Sequence, residues 1–281
     1  MIDLHTHTTV SDGTDTPAQL VNKAIAQGLS TLAITDHDAI AGWQSAIQTL
    51  RGNLQLVLGA EISCLTKEGI SVHMLGLLFD GTNQPMLELL ENTRDERLPR
   101  MRKMINLMQA DGIDISISDV EAAMRASATM GRPHLADALV AKKIIKSRDE
   151  AFQDLLNNES KYYVAHLAPT PGDAIRAIRA AGGVAVIAHP FASLRGQILK
   201  SDDFLDLKSA GLNGIEVNHR DQSNEERLNL LAIARDLDLV ITGSSDYHGT
   251  GKLNSLGENV TDPAEWDRLE AMADSRRVVT A

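Results

Sequence analysis

The chain begins MIDLHTHTTVSDG, with His5 and His7 separated by one residue. On an extended strand, residues i and i+2 share a face. These two imidazoles can therefore grip one cation together. Similar donors recur along the chain: Asp36, His37 and Asp38 in ITDHD, Glu61 in VLGAEIS, His73 in SVHMLGL and His189 in VIAHP. SSDYH adds Asp246 and His248, again at i and i+2. Six of the nine histidines fall at or near the ends of segments that read as strands. Imidazole mixed with carboxylate, and no thiolate, suits Mn²⁺, Fe²⁺ or Zn²⁺ without selecting among them. Two or three such ions side by side acidify a bridging water, aim it and neutralise phosphoryl oxygens. The chemistry expected is attack of a metal-activated hydroxide on a phosphate ester, with no covalent enzyme intermediate. Asp36 and Asp38 read as caps, or as partners that orient His37.

Other nucleophiles are weakly supported. Cys64 lies three residues beyond Glu61 with no partner in the sequence, and reads as a small core residue. No GxSxG elbow is present. Phosphate grip is expected from four cap or rim residues. GRPH places Arg132 and His134 at the start of a basic helix, with His134 the candidate general acid. ESKYYV supplies Lys161, and HPFASLR supplies Arg195 just past a donor-bearing strand end. Arginine forms two-pronged bonds to phosphate. Arg97, Arg100, Arg102 and Lys103 form a run that reads as mostly solvated, with one or two facing the site. His166 and His219 read as surface or helix-cap residues.

These donors need a scaffold that gathers them. IDLHTH reads as a strand, and Thr16-Pro17 starts a helix running to Gln27. STLAITDHD is a strand, AGWQSAIQTLR a helix, and LQLVLGAEIS and ISVHMLGLLF two further strands. This βαβ rhythm predicts a parallel sheet or barrel with helices outside. From 85 to 162 the rhythm stops. ENTRDERLPRMRKMINLMQADG reads as one charged amphipathic helix ending at Gly112, and GRPHLADALVAKK as another. Pro171 then opens a helix ending at Gly182-Gly183, followed by VAVIAHP, GIEVNH, the helix SNEERLNLLAIARDL and LVITGSSDYH. A last helix precedes Arg277-Val278-Val279. The expected organisation is an α/β barrel from 1–84 and 163–281, with a helical insertion at 85–162. The carboxyl ends of its strands would converge on one face.

Composition narrows the partners. The 281 residues are 43% hydrophobic and carry a net charge of −11, which argues against duplex DNA. Between Arg94 and Arg148, however, eleven basic residues meet seven acidic ones, a local balance of +4. An acidic body under a basic segment suits a cation-loaded site beneath an anion-binding cap. There is no apolar run of membrane-spanning length and no signal-peptide pattern, so no membrane partner is expected. A single cysteine fits a reducing, cytoplasmic compartment.

HTHTTVSDG, TDHD, GAEIS, VHMLGL, IAHP and SSDYH, in this order, resemble the polymerase-and-histidinol-phosphatase (PHP) superfamily over nearly the whole chain. The likeness is greatest to its small phosphoesterases that act on nucleotides. The resemblance implies a distorted (β/α)₇ TIM-like barrel with a helical insertion, and two or three divalent ions. It further implies that His5, His7, Glu61 and Asp246 hold one ion, Asp12, His37 and His248 a second, and Glu61, His73 and His189 a third. Asp12 stands where other branches carry His, which favours Mn²⁺ or Mg²⁺ over Zn²⁺. The implied activity is removal of the 3′-phosphate from a nucleoside 3′,5′-bisphosphate. Three alternatives are 5′-to-3′ exoribonuclease action on short RNA oligonucleotides, histidinol-phosphate hydrolysis, and a non-catalytic metal-binding module. The 3% aromatic content speaks against a long stacking track for single strands.

Overall fold

The computed structural model describes residues 1–124, 128–165, 167–275 and 278–281. Among the described residues, short and mostly apolar runs form seven strands: β1 Ile2–Asp3, β2 Thr31–Ile34, β3 Gln55–Leu65, β4 Ser71–Leu77, β5 Val184–Ala188, β6 Gly214–Asn218 and β7 Val240–Gly243. They lie in one sheet in chain order. A parallel bridge joins Thr6 to Tyr247, and the His7 N–H donates to the Tyr247 carbonyl at 2.8 Å. The last strand thus meets the first, and the sheet nearly closes into a barrel.

The sheet is not fully parallel, contrary to the expectation from βαβ rhythm. β4 runs antiparallel to both β3 and β5. The reason is loop length. Residues 66–70 link β3 to β4 as a tight turn, closed by the Thr66 N–H on the Ile70 carbonyl at 2.9 Å. A link that short permits a hairpin but no crossover. His73, near the start of the reversed strand, pairs with Ser63 on one side and Ala188 on the other. It therefore emerges at the rim where the parallel strands end.

The helices are α1 Pro17–Ala26, α2 Trp43–Thr49, α3 Gln84–Asp95, α4 Arg97–Ala110, α5 Ile117–Ala123, α6 Arg132–Ala141, α7 Arg148–Asp154, α8 Pro171–Ala180, α9 Asp203–Ala210, α10 Asn224–Asp236 and α11 Pro263–Glu270. α1 opens on a capping box in which Thr16 and Gln19 exchange side-chain and backbone bonds. The expected single helix ending at Gly112 is two helices, α3 and α4, that meet at Glu96. Pro99 has no N–H for the Asp95 carbonyl, so the hydrogen-bond ladder breaks there. α3 buries Met86 and Leu90 in the same core as Leu20, Leu32, Leu56 and Ile187 of the barrel. Leu4, Val57, Leu75, Val186 and Val240 form an inner cluster. A third core, spanning Met101 to Tyr162, sits among α4 to α7. Among the described residues no helix is long and apolar enough to cross a membrane.

Several bonds among the described residues tie this helical segment down over the strand ends. Thr129 N–H donates to the Val10 carbonyl at 2.8 Å, and Arg148 Nη1 donates to the Gly251 carbonyl at 3.0 Å. Arg97 reaches Asp38.

Candidate metal centre

The loop after β1 is shaped by its neighbours. A Cβ on Gly13 would lie 2.5 Å from the His7 carbonyl oxygen and 2.9 Å from the Thr8 nitrogen, so only glycine fits. Asp36, at the end of β2, accepts from the Thr8 N–H at 2.8 Å, the Thr8 hydroxyl at 2.7 Å and the Ser11 hydroxyl at 2.7 Å. This folds the loop back and turns Asp12 toward His7 and His248. Asp38 instead accepts from the Ser63 N–H and hydroxyl and from Arg97. Neither aspartate orients His37, as the sequence had suggested. One shapes the donor loop and the other anchors α4.

Glu61, on β3 and 1% exposed, is the hub. Its Oε2 lies 3.3 Å from His5 Nε2, 3.1 Å from His7 Nε2 and 3.1 Å from His37 Nδ1. Its Oε1 lies 2.8 Å from His73 Nδ1 and 3.3 Å from His189 Nε2. Asp246 Oδ1 stands 3.6 Å from His5 Nε2 and 3.5 Å from His7 Nε2. Asp12 touches His248 Nε2 at 3.2 Å and approaches His37 Nε2 at 3.8 Å. All nine residues expected as ligands therefore converge in one pocket. Asp38, His189 and Asp246 hold left-handed backbone, with φ of 50°, 32° and 51°. Non-glycine residues adopt that region at a cost, and such strain gathers at functional sites.

The contacts inside the pocket do not satisfy one another. His5 Nε2 and His7 Nε2 are 3.0 Å apart, nitrogen against nitrogen. Asp12 Oδ1, His37 Nδ1 and His248 Nε2 are buried without a hydrogen bond. Five nitrogens crowd the two oxygens of Glu61, while the His7 and His248 rings stack at 4.1 Å. Protonating every ring would stack like charges. A shared cation relieves this crowding, and the donor set fits divalent ions. Among the described residues four groups can each surround one: His7, Asp12, His37 and His248; His5, His7 and Glu61; His37, Glu61 and His73; and His5, His189 and Glu216.

Charge is unevenly shared. Burial opposes the imidazolium of His5, but Glu61, Glu216 and Asp246 outweigh it and hold its pKa well above the ordinary value. His7 is likewise pushed up, to about 9, by Asp246 and Glu61 against the pull of burial. Burial and nearby Lys252 pull His248 down to about 4. Burial lowers His37 and His189 well below the ordinary histidine range, leaving neutral rings able to ligate. The carboxyl of Glu61 is held well below its usual range, its burial outweighed by His37, His73 and His5.

Asp246 Oδ2 serves a second set of groups. It accepts from Arg195 Nη2 at 2.8 Å and Lys252 Nζ at 2.8 Å, with His219 Nε2 at 3.3 Å. His219, read as a surface or cap residue, is fully buried and belongs to this network. His166 lies outside the described residues. Glu216 and Lys252 were missed. The segment GIEVNH places Glu216 in the middle of β6 and His219 just past its carboxyl end, so the strand-end criterion reaches His219 but not Glu216.

The expected phosphate contacts divide. A cleft of about 90 Å³ adjoins the imidazoles and is lined by His73, His189, Arg132, Asn158 and Arg195. Arg132 donates to the Leu156 carbonyl at 2.8 Å and the Asn158 Oδ1 at 2.7 Å, and lies over the Phe152 and Tyr163 rings. Among the described residues no carboxylate pairs with it. Arg195 is shared between Asp221 and Asp246. His134 is buried, and its Nδ1 accepts from the Gly131 N–H at 3.1 Å. Burial lowers its pKa, and with Nδ1 accepting, Nε2 carries the ring proton. Lys161 is not brought to the site. It is 69% exposed and pairs with Asp111. In the run on α4, Arg97 turns inward, Arg100 donates to the Val164 carbonyl at 2.6 Å, and Arg102 and Lys103 are exposed. Cys64 is buried and its thiol is pushed up by burial, which suits a core residue.

With the geometry established, comparison with known proteins is informative. Residues 3–167 match the family model described as PHP domain. A 5′-3′ exoribonuclease of Haemophilus influenzae is 34% identical, covering 92% of this chain and 93% of its own. A 3′,5′-nucleoside bisphosphate phosphatase of Chromobacterium violaceum is 32% identical, covering 89% and 88%. A solved structure, described as a metal-dependent phosphoesterase from Bifidobacterium adolescentis, is 40% identical, covers 97% and 96%, and superposes with a TM-score of 0.90.

Proposed function

The chain belongs to the PHP-domain family and is a metal-dependent phosphoesterase of it; from that premise we propose that it removes the 3′-phosphate of a nucleoside 3′,5′-bisphosphate. The observation that carries this reading is the juxtaposition of two anion seats. One is the Glu61-centred pocket. The other is Arg132, a half-buried guanidinium with no carboxylate partner among the described residues, in the wall of the adjoining cleft. A substrate with one phosphate at each seat uses both.

In this reading His5, His7, Glu61 and Asp246 hold one ion, Asp12, His37 and His248 a second, and Glu61, His73 and His189 a third, with Mn²⁺ the favoured metal. When bound, divalent cations acidify water and neutralise charge on a phosphoryl group. The chain's own residues do the rest. Arg132 and Arg195 take the remote phosphate and fix its distance from the pocket. Neutral His134 donates a hydrogen bond. The helical segment 85–162 acts as a cap that limits water entry. The compartment proposed is the cytoplasm, where the buried thiol of Cys64 stays reduced.

The test is phosphate release with Mn²⁺ from a nucleoside 3′,5′-bisphosphate, a nucleoside monophosphate and a 5′-phosphorylated oligoribonucleotide. The bisphosphate should show the largest kcat/KM. Folded His7→Ala protein should lose turnover. Full activity after exhaustive chelation would overturn the metal role. One feature favours a second reading, the exoribonuclease: the cleft continues past Asn158 to Gly69, Ser71 and Tyr163. Preferential turnover of the oligonucleotide would select it.

A further inference from the structure

Glu216 lies on β6, is fully buried and meets no lysine or arginine among the described residues. Burying a carboxylate is costly unless donors satisfy it. Two do. His5 Nδ1 lies 3.1 Å from Oε1, and the His189 backbone N–H donates to Oε2 at 2.8 Å. Gln222 holds the strand end in place, its Nε2 donating to the Glu216 carbonyl at 3.1 Å.

We infer that Glu216 is a positioning residue: it fixes the His5 ring in the tautomer that turns a lone pair on Nε2 toward the pocket, and it anchors the left-handed turn that aims His189. A carboxylate only accepts, so when His5 carries a single ring proton, as a ligating imidazole must, that proton sits on Nδ1. Nε2 is then free at 3.0 Å from His7 Nε2 and 3.3 Å from Glu61 Oε2. The other oxygen holds the His189 amide, where φ is 32° and Nε2 lies 3.3 Å from Glu61 Oε1. One carboxylate on β6 thus sets rings on β1 and β5. Glu216, His5 and His189 can also surround an ion by distance alone. The two N–H donors already occupying both Glu216 oxygens favour the positioning role. The inference rests on the metal reading above.

Glu216→Gln separates the roles because glutamine supplies one acceptor and one donor. The His189 N–H cannot reverse, so the amide oxygen must face it. The amide NH₂ then faces His5 Nδ1, which must accept, and the proton moves to Nε2. A protonated Nε2 cannot ligate.

Metal-depleted full-length chain is titrated calorimetrically with Mn²⁺, and with Co²⁺ while its visible ligand-field spectrum is followed. Glu216→Gln should weaken one Mn²⁺ site about 10- to 100-fold, the range for outer-shell partners of ligating histidines, and alter the Co²⁺ spectrum. In a His5→Ala background the same change should move Mn²⁺ affinity less than about twofold, since both act through one ring. A further loss there would show a general structural role and overturn the inference, as would unchanged affinity in Glu216→Gln. Should Glu216→Gln fail to fold, imidazole ¹⁵N spectra of the Zn²⁺-loaded natural protein decide. Nδ1–H on His5 supports the inference, and Nε2–H overturns it. If the natural protein binds no Mn²⁺, the metal reading itself falls; if it binds and Glu216→Gln binds equally, only this inference does.

Discussion

Arg97→Met removes the bond that most directly fastens the helical segment to the barrel. In the natural protein Arg97 Nε donates to Asp38 Oδ2 at 3.0 Å, Nη2 reaches the same oxygen and Ser63 Oγ at 2.8 Å, and Nη1 donates to the Met130 carbonyl at 3.1 Å. The side chains are 11% and 0% exposed. Methionine keeps much of the volume but leaves Asp38 a buried anion with only the two Ser63 donors. Breaking such a pair from one side costs about 3–5 kcal/mol. At about 2.1 cal/mol/K of unfolding entropy per residue, a chain of 281 residues has roughly 0.6 kcal/mol/K. The melting midpoint should therefore fall by about 5–8 °C. Asp38→Asn is the matched partner, because asparagine tolerates the left-handed backbone at that position. The double variant buries no lone charge and should cost less than about 2 kcal/mol. Calorimetry of the four proteins closes the cycle, and a coupling of about 2 kcal/mol or more is expected. A loss below about 1 kcal/mol in Arg97→Met, or losses that simply add, would refute the idea that this pair is a desolvated clamp.

Gly13→Ala should misplace Asp12, because its Cβ would meet backbone atoms of His7 and Thr8 closer than 3.0 Å; we expect about 1–3 kcal/mol lower stability and weaker Mn²⁺ uptake, both read by calorimetry. Arg132→Met should raise KM for the bisphosphate by about tenfold or more, the scale of one lost charge-assisted bond. Lys161→Met should stay within about twofold of the natural protein, and equal effects from the two would undo the assignment of the second seat. Asp3 is fully buried, and burial lifts its carboxyl from 3.8 to about 6 despite bonds from Ser245 and Gly257. Since the folded pKa exceeds the unfolded one, its stabilising share is present below about pH 4 and is lost as pH rises to about 6, roughly 3 kcal/mol in all. Relative to the natural protein, Asp3→Asn should gain stability across that window in metal-free urea titrations; parallel curves would show Asp3 to be ionised throughout.

The donors were readable in sequence because alternation on a strand fixes direction. Once His5 and His7, two residues apart just past β1, face the same way and Glu61 stands beside them on β3, little freedom remains. The reversal of β4 is readable too, in the five residues 66–70, which are too few for the crossover that a βαβ rhythm implies. Glu216 was hidden by its surroundings, since a lone acid in an apolar strand looks like an exposed position until its two donors are seen. Lys161 and Arg132 carry the same charge, and what separates them at the site is their neighbours. Asp111, at the end of α4, captures Lys161, and no local pattern reveals a partner fifty residues away. Aspartates 36 and 38 were legible as important but not in their roles, because those depend on loops brought alongside by closure.

The seam between Thr6 and Tyr247 has a consequence for synthesis. His5 and His7 are made well before Asp246 and His248, which lie more than two hundred residues further along. A nascent chain can offer scattered histidines to the cell's loosely held metals, but it cannot retain them as a set. Stabilisation by shared cations therefore waits until both sides of the seam have been made.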